Sequence, residues 1–163
     1  LIARAAPRSR KSHVATLLAH LTKLEANGIA DFPKAMNSLL AMLGHKSLVM
    51  IMSDFLGDVP AAIESLRRLR GGGHDVIVFH VLDEAEVYFP FEGVVELVDP
   101  ETNQRLSVQA DEIRDGYQSE VKAFRDQLEK SCSETRIDYV PLDTSVPYDK
   151  ALLEYLISRR NRF

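Results

Sequence analysis

The sequence predicts an α/β fold in which helices cover a parallel sheet. Three short apolar runs, at 47–53, 75–82 and 137–142, are separated by segments with a helical pattern. Runs of this length between helices are typical of buried parallel strands. Their alternation with helices predicts an α/β sandwich. Three core strands are few for such a sheet, so we expect the first strand at an edge, or beside early strands missing from this chain.

The composition is that of a globular domain with a core of its own. The 163 residues are 45% hydrophobic and 27% charged, with a net charge of -4 and one cysteine. This charge does not favour a nucleic-acid partner, and no apolar run approaches the ~18 residues of a membrane span. One cysteine cannot form an internal disulfide. We therefore expect a cytoplasmic protein, with no nucleic-acid partner and no membrane span in this chain.

The N-terminal segment differs from the rest in charge. Because it is basic and contains proline, we expect residues 1–12 to be a linker or arm, solvated rather than bound to phosphate or an anionic membrane. Residues 13–163 then form a partial domain. Since the chain starts with Leu1, we expect upstream residues, which could include a membrane anchor. The first 24 residues hold no acid and carry Arg4, Arg8, Arg10, Lys11 and Lys23.

Two helices are predicted before the first strand. Residues 12–26 carry an apolar stripe at helical spacing, and Asn27 with Gly28 should end this helix. A second helix is predicted from about Pro33 to Leu43, with Asp31 near its start. The first stripe consists of Val14, Leu17, Leu18, Leu21 and Leu24.

Three further helices follow the strands. The third is expected at 59–70, with Asp58 as its N-cap and the glycines 71–73 as its end. The fourth, at 111–134, has the clearest apolar stripe, and the last is expected at 148–160. The fourth helix's stripe consists of Ile113, Tyr117, Val121, Phe124, Leu128 and Cys132.

Residues 84–109 interrupt the alternation. The segments 94–98 and 105–108 flank a turn-forming stretch and predict an inserted β-hairpin. The aromatic segment 88–91 either packs under this hairpin or is exposed and interactive, and packing is favoured because a hairpin alone needs an apolar support.

An aspartate follows each apolar run: Asp54, Asp83 and Asp143. Ligands of open α/β sheets bind beyond the carboxyl ends of the strands, so neighbouring strands would place these residues along one rim. Carboxylates there could hold a cation or attract a basic partner, but strand-end aspartates also begin turns and cap helices. The candidate residues are Ser53, Asp54, Asp83, Glu86, Asp143, Thr144 and Ser145.

Familiar catalytic motifs do not occur in the sequence. There is no phosphate-binding loop, no nucleophile elbow, and no zinc spacing among the five histidines. His80 lies near the rim, where a hydrogen-bonded structural histidine is favoured over a catalytic one. Cys132 lies on an apolar stripe, which favours burial over reactivity.

Several segments together resemble the bacterial domain-of-unknown-function fifty-eight family, specifically its C-terminal part. They cover nearly the whole chain from about residue 13. The segments are Ser53-Asp-Phe-Leu56, the stretch 73–86, Phe89-Pro-Phe91, Asp99-Pro-Glu-Thr102, Asp143-Thr-Ser145 and Leu156-Ile-Ser-Arg-Arg160. The strand ending in Ser53-Asp54 also resembles the fourth strand of von Willebrand factor A-like proteins.

The resemblance implies a Rossmann-like, von Willebrand factor A-like three-layer sandwich with a metal-ion-dependent adhesion site at the carboxyl rim. By position, Asp54 matches the aspartate that such a site takes after the fourth strand. The family's Asp-x-Ser-x-Ser loop is absent from this chain, and Ala30 stands where the second-loop threonine is expected, with Asp31 nearby. We therefore expect binding of Mg²⁺ or Mn²⁺ to be weakened or lost.

These features favour a non-enzymatic protein-interaction module. The resemblance implies that it acts with a MoxR-type AAA ATPase in the assembly or maturation of other proteins. Asp54 would be the metal-proximal residue, and Ser53, Asp83, Glu86, Asp143 and Thr144 would form the partner-binding rim. The alternative is a metal-dependent phosphoesterase that uses Asp54, Asp83 and Asp143 as ligands. The apolar edge of the first strand further predicts self-association.

Overall fold

The computed structural model describes residues 8–25, 31–99 and 102–160. No helix in these ranges is long and apolar enough to cross a membrane. Six helices and five strands follow one another in the described ranges. In chain order they are α1 (His13–Leu21), α2 (Phe32–Met42), β1 (Leu48–Ser53), α3 (Val59–Gly71), β2 (Asp75–Leu82), α4 (Glu84–Tyr88), β3 (Val94–Val98), β4 (Arg105–Gln109), α5 (Ala110–Glu134), β5 (Asp138–Asp143) and α6 (Tyr148–Arg160).

The central sheet has three parallel strands in the order β1-β2-β5. β2 lies in the middle, where Val76 pairs with Val49 of β1 and Val78 pairs with Tyr139 of β5. The predicted parallel strands and the edge position of β1 are both confirmed for the described residues. Because the strands are parallel neighbours, their carboxyl ends meet at one edge of the sheet.

Helices lie on both faces of this sheet, as the family resemblance implies. On one face α2, α3 and α5 bury a core that includes Leu66, Val78 and Leu128. On the other face Tyr155 of α6 meets Phe79 of β2 edge to face, with ring centroids 5.6 Å apart. The fold is therefore an α/β layered sandwich compatible with the Rossmann-like prediction.

The predicted helix starts are confirmed by their capping contacts. The Asp31 carboxylate accepts the backbone N–H of Lys34 at 2.9 Å at the start of α2. The Asp58 carboxylate accepts that of Ala61 at 2.9 Å at the start of α3. Such caps satisfy backbone donors that have no partner within the helix.

The first helix is shorter than predicted, and its stripe is not part of the core. α1 ends at Leu21, where the Thr22 hydroxyl donates to the Ala19 carbonyl at 3.2 Å. The predicted end at Asn27 and Gly28 lies outside the described residues, as do residues 1–7 of the predicted arm. The stripe residues Val14, Leu17, Leu18, Leu21 and Leu24 are exposed.

The inserted hairpin is confirmed, and a short helix that the sequence did not predict precedes it. β3 and β4 pair antiparallel, with Val95 opposite Val108. The additional helix, α4, has five residues, too few to show a periodic pattern. Within the aromatic segment, Phe89 is buried, with its ring 4.6 Å from that of Tyr117 in α5. Packing is thus confirmed for Phe89, whereas Tyr88 is exposed.

The prediction that β1 is a fully buried strand is wrong for one of its faces, which is exposed. Leu48, Met50 and Met52 alternate with buried neighbours and are exposed. The core on that side of the sheet consists of residues from β2, β5 and α6, so it stops short of β1. An apolar face and a strand edge therefore remain uncovered by the described residues.

Candidate functional site

The candidate site lies at the rim where the three parallel strands end. We define the carboxyl rim as the predicted set Ser53, Asp54, Asp83, Glu86, Asp143 and Thr144. The fold brings members of this set from different strands into contact. The Thr144 hydroxyl donates to the Asp83 carboxylate at 3.1 Å and accepts the backbone N–H of Glu84 at 3.1 Å. These contacts join the loops that follow β2 and β5.

Asp83 and Glu86 form a capping box at the start of α4. The Asp83 carboxylate accepts the backbone N–H of Ala85 at 2.9 Å, and the Glu86 carboxylate accepts that of Asp83 at 2.8 Å. At Asp83 the capping interpretation of a strand-end aspartate is therefore correct. Both side chains are held in place by backbone groups, and their contact with a partner stays a prediction.

The loop after β1 is ordered by two side-chain acceptors. The Ser53 hydroxyl accepts the backbone N–H of Phe55 at 3.0 Å, and the Asp54 carboxylate accepts that of Leu56 at 3.2 Å. Phe55 has a positive φ of 55° and is buried, with its ring 5.1 Å from that of Phe32. This buried ring stabilises a backbone conformation that a side chain rarely adopts. Asp54 is consequently presented on a fixed turn.

Asp143 is held by its own loop and by α4. Its carboxylate accepts the backbone N–H of Ser145 at 2.9 Å. Burial raises the pKa of Asp143, but hydrogen bonds from Ser145 and Tyr88 outweigh burial and hold that pKa below its usual value. The same contact with Asp143 raises the pKa of the Tyr88 hydroxyl. Asp143 therefore stays ionised beside an exposed aromatic ring.

These rim residues do not fit a divalent metal by themselves. Across residues 8–25, 31–99 and 102–160, no three His, Cys, Asp or Glu side chains converge where they could hold an ion. Mg²⁺ takes octahedral oxygen ligands and releases its waters reluctantly, so one carboxylate such as that of Asp54 makes a weak site. Ala30, at the position expected for the threonine, lies outside the described residues.

A buried hydrogen-bond chain runs under the rim. Nδ1 of His80 lies 2.7 Å from the Tyr139 hydroxyl, and Nε2 lies 3.0 Å from the Asp54 carbonyl. Because a carbonyl can only accept, Nε2 carries the proton and Nδ1 accepts from Tyr139. Burial lowers the pKa of His80 and raises that of Tyr139 to about 12. The predicted structural role of His80 is confirmed by these two contacts.

The predicted burial of Cys132 is also confirmed. Its side chain is 1% exposed, and burial raises the pKa of the thiol to about 12. A thiol with such a pKa holds almost no thiolate near neutral pH, so nucleophilic chemistry is not available there.

A groove beside the rim was not predicted from the sequence. It is a cavity of about 480 Å³ between α4, α5 and β5, and Arg125 and Tyr139 are among its lining residues. Arg125 directly follows Phe124, a residue of the apolar stripe of α5. This position beside the stripe was the only sign in the sequence that Arg125 could line a groove. The groove could not be located without the pairing of β5 beside β2.

The family model described as protein of unknown function DUF58 matches residues 2–127. This match covers most of the chain. The chain belongs to the DUF58 family. The family indicated by the sequence motifs is thereby confirmed. No curated protein and no solved structure matches the chain.

The DUF58 match includes part of the candidate site and ends before the rest of it. The match includes Ser53, Asp54, Asp83 and Glu86, and also Arg125 near its end. The matched residues end before β5 and α6. Asp143 at the end of β5 and Thr144 after it therefore lie outside the match. The DUF58 segment therefore supplies two of the three rim loops.

Proposed function

We propose that this DUF58 protein is a non-enzymatic protein-interaction module that binds a protein partner at the carboxyl rim. The observation that carries the proposal is the ordering of the rim loops. The carboxylates of Asp54, Asp83 and Asp143 each accept a backbone N–H within their own loop. Ordered loops on a rigid sheet are a common basis for recognition, because binding then costs little conformational entropy.

The chemistry of the rim supports recognition over catalysis. A general base needs an accessible group with a pKa near the working pH. His80 is buried and bonded at both nitrogens, and hydrogen bonds hold the pKa of Asp143 low. The exposed acids Asp54 and Asp83 are suited to electrostatic attraction of a basic patch on a partner.

The partner that the family resemblance favours is a MoxR-type AAA ATPase. In this proposal the domain is von Willebrand factor A-like, its metal-ion-dependent adhesion site is degenerate, and the complex acts in assembly or maturation of other proteins. A degenerate site is supported by the described residues, since no three His, Cys, Asp or Glu side chains converge at Asp54 where Mg²⁺ needs several oxygen ligands.

The partner is tested by measuring binding of the MoxR-type ATPase from the same organism to the full-length protein by biolayer interferometry. Asp54→Lys should weaken binding about tenfold or more, equivalent to about 1.4 kcal/mol. Glu134→Lys is the control, because α5 ends beside the start of β5, at the opposite end of the sheet. Equal affinity for Asp54→Lys and wild type would contradict binding at the rim.

Metal binding is tested separately by isothermal titration of Mg²⁺ and Mn²⁺ into the full-length protein and its Asp54→Ala variant. We expect no resolved binding to either protein. Binding to wild type that is lost in Asp54→Ala would demonstrate a working adhesion-type site and would point to a cation bridging the rim and its partner.

A phosphoesterase assay distinguishes the module from the enzymatic alternative. With Mn²⁺ and a general phosphoester substrate we expect no hydrolysis above background. Hydrolysis that disappears in Asp54→Ala would contradict a non-enzymatic module, because background from a contaminating phosphatase would persist in the variant.

A further inference from the structure

Two concavities join beside the carboxyl rim, and we call them together the Arg125 groove. The larger, of about 480 Å³, lies against α5, and the smaller, of about 290 Å³, extends toward α6. Both are lined by Val87, Tyr88, Arg125 and Pro141, so these four residues form the junction. The smaller concavity is also lined by Asp143, so the groove is continuous with the rim.

Arg125 carries a positive charge at this junction that helps to lower the pKa of Asp143 but forms no salt bridge within the described residues. The other cation lining the larger concavity, Lys122, is bonded to Asp126 at 2.5 Å. No carboxylate of the described residues lies within 4.0 Å of Arg125. Its side chain interacts with the Tyr139 hydroxyl. A guanidinium has five N–H donors, so one hydroxyl leaves donors for a ligand.

The buried chain described above ends beside Arg125, because Tyr139 and Arg125 line the same concavity. Tyr139 is bonded to His80, and His80 is bonded to the Asp54 carbonyl. Arg125 is itself partly buried, and a guanidinium in such a place can bind a carboxylate with two parallel N–H donors. The arrangement therefore suits a carboxylate.

The walls restrict which carboxylate ligands fit. Tyr88 is 54% exposed and, with Pro141, offers apolar surface for flanking side chains. Tyrosine and arginine together are typical of protein-interface hot spots. Asp126 and Glu129 line the side near α5, and Asp143 and Glu154 line the end near α6, so a wholly acidic segment would be repelled. A single carboxylate can therefore reach Arg125 only from a segment whose flanking side chains are apolar or basic, and the surrounding acids favour basic ones.

We propose that the Arg125 groove binds an extended segment of the protein partner, which places one carboxylate against Arg125 between apolar or basic side chains. This inference rests on the proposed function, since it names the chemistry of the partner segment that docks beside the rim.

The test follows the Arg125 Nε–H signal by NMR in the full-length protein during titration with two amidated peptides, Lys-Leu-Glu-Leu-Lys and Lys-Leu-Gln-Leu-Lys. The glutamate peptide should shift this signal and bind at least about tenfold more tightly than the glutamine peptide. Arg125→Met should remove that difference. Lys122→Met is the matched control, because Lys122 is already paired with Asp126, and it should keep the difference.

A second variant guards against loss of folding in Arg125→Met. Tyr88→Ala removes an exposed wall of the groove and should weaken binding of the glutamate peptide. Retained dispersion of its amide spectrum would show that this variant is folded. Equal binding of the two peptides, or no shift of the Arg125 signal at about 10 mM of either, would overturn the inference.

Failure of the groove and failure of the proposed function give different results. If the ATPase binds at the rim and neither peptide shifts Arg125, the groove inference is wrong and the module stands. If the glutamate peptide binds through Arg125 and the ATPase does not bind, the groove chemistry stands and the proposed partner is wrong.

Discussion

His80 connects the ends of the parallel strands beneath the rim. It is 1% exposed and links β2 to Tyr139 in β5 and to the carbonyl of Asp54 after β1. The ring of Phe124 in α5 meets the imidazole edge to face at 5.1 Å. One buried ring therefore connects both neighbouring strands and the covering helix.

The protonation of His80 gives the first prediction. Burial lowers its pKa in the folded state below the ordinary 6.5, so the unfolded state binds a proton that the folded state excludes. The free energy of unfolding should therefore fall as the pH drops below about 6.5, by up to about 1.4 kcal/mol per pH unit, until the folded-state pKa is reached. Urea denaturation between about pH 7.5 and pH 5.5 measures this slope.

His80→Gln should reduce that slope, because glutamine does not titrate. His45→Gln, which removes an exposed imidazole, is the matched control for the substitution itself. A slope that is the same in His80→Gln and wild type would show that His80 does not contribute to the pH dependence.

Asp83 gives the second prediction, which separates its capping role from its predicted role at the rim. Asp83→Ala removes the capping box and should lower the free energy of unfolding by about 1 to 2 kcal/mol. Asp83→Asn keeps an acceptor oxygen, so it should cost less than about 0.5 kcal/mol. Chemical denaturation measures both. An alanine variant as stable as wild type would exclude the capping role.

Asp83→Asn then tests the charge alone in the binding assay. If the neutral variant is stable and binds the partner more weakly, the carboxylate charge at the rim acts on the partner. If affinity is unchanged, the contribution of Asp83 is limited to holding α4.

At the scale of elements, the sequence predicted the features that depend on local patterns, but not those that depend on tertiary contacts. α3, α5 and α6 lie within a residue of their predicted bounds because caps and apolar periodicity are local signals. The five-residue α4 has too short a pattern. The link from His80 to Tyr139 spans 59 positions in sequence, so it depended on the pairing of β2 with β5.

β1 gives the third prediction. Within the described part of the chain, β1 has an exposed apolar face and an unpaired edge, which are suited to association with another apolar surface. The 163-residue chain should form dimers or larger species by light scattering. Met52→Lys should favour the monomer, because Met52 is 70% exposed on that face. Leu106→Lys in the hairpin is the control, and it should leave the fraction of monomer unchanged. A monodisperse monomer of the wild-type chain would contradict this prediction.

At the scale of the whole molecule, the ordered polar loops of the carboxyl rim are separate from the exposed apolar face of β1. The rim gathers the ends of β1, β2 and β5 and continues into the Arg125 groove. The exposed apolar residues of β1 lie on the sheet face away from α3 and α5. We therefore expect the partner to bind at the rim and groove, and copies of the chain to associate through β1.

The most direct test of the central claim is amide hydrogen exchange of the full-length protein with and without the MoxR-type ATPase. We expect the ATPase to slow exchange in the rim segments 53–58, 82–88 and 143–148, and to leave exchange in the hairpin 94–109 unchanged. Slower exchange confined to β1 and α6, or exchange that the ATPase leaves unchanged throughout, would contradict partner binding at the carboxyl rim.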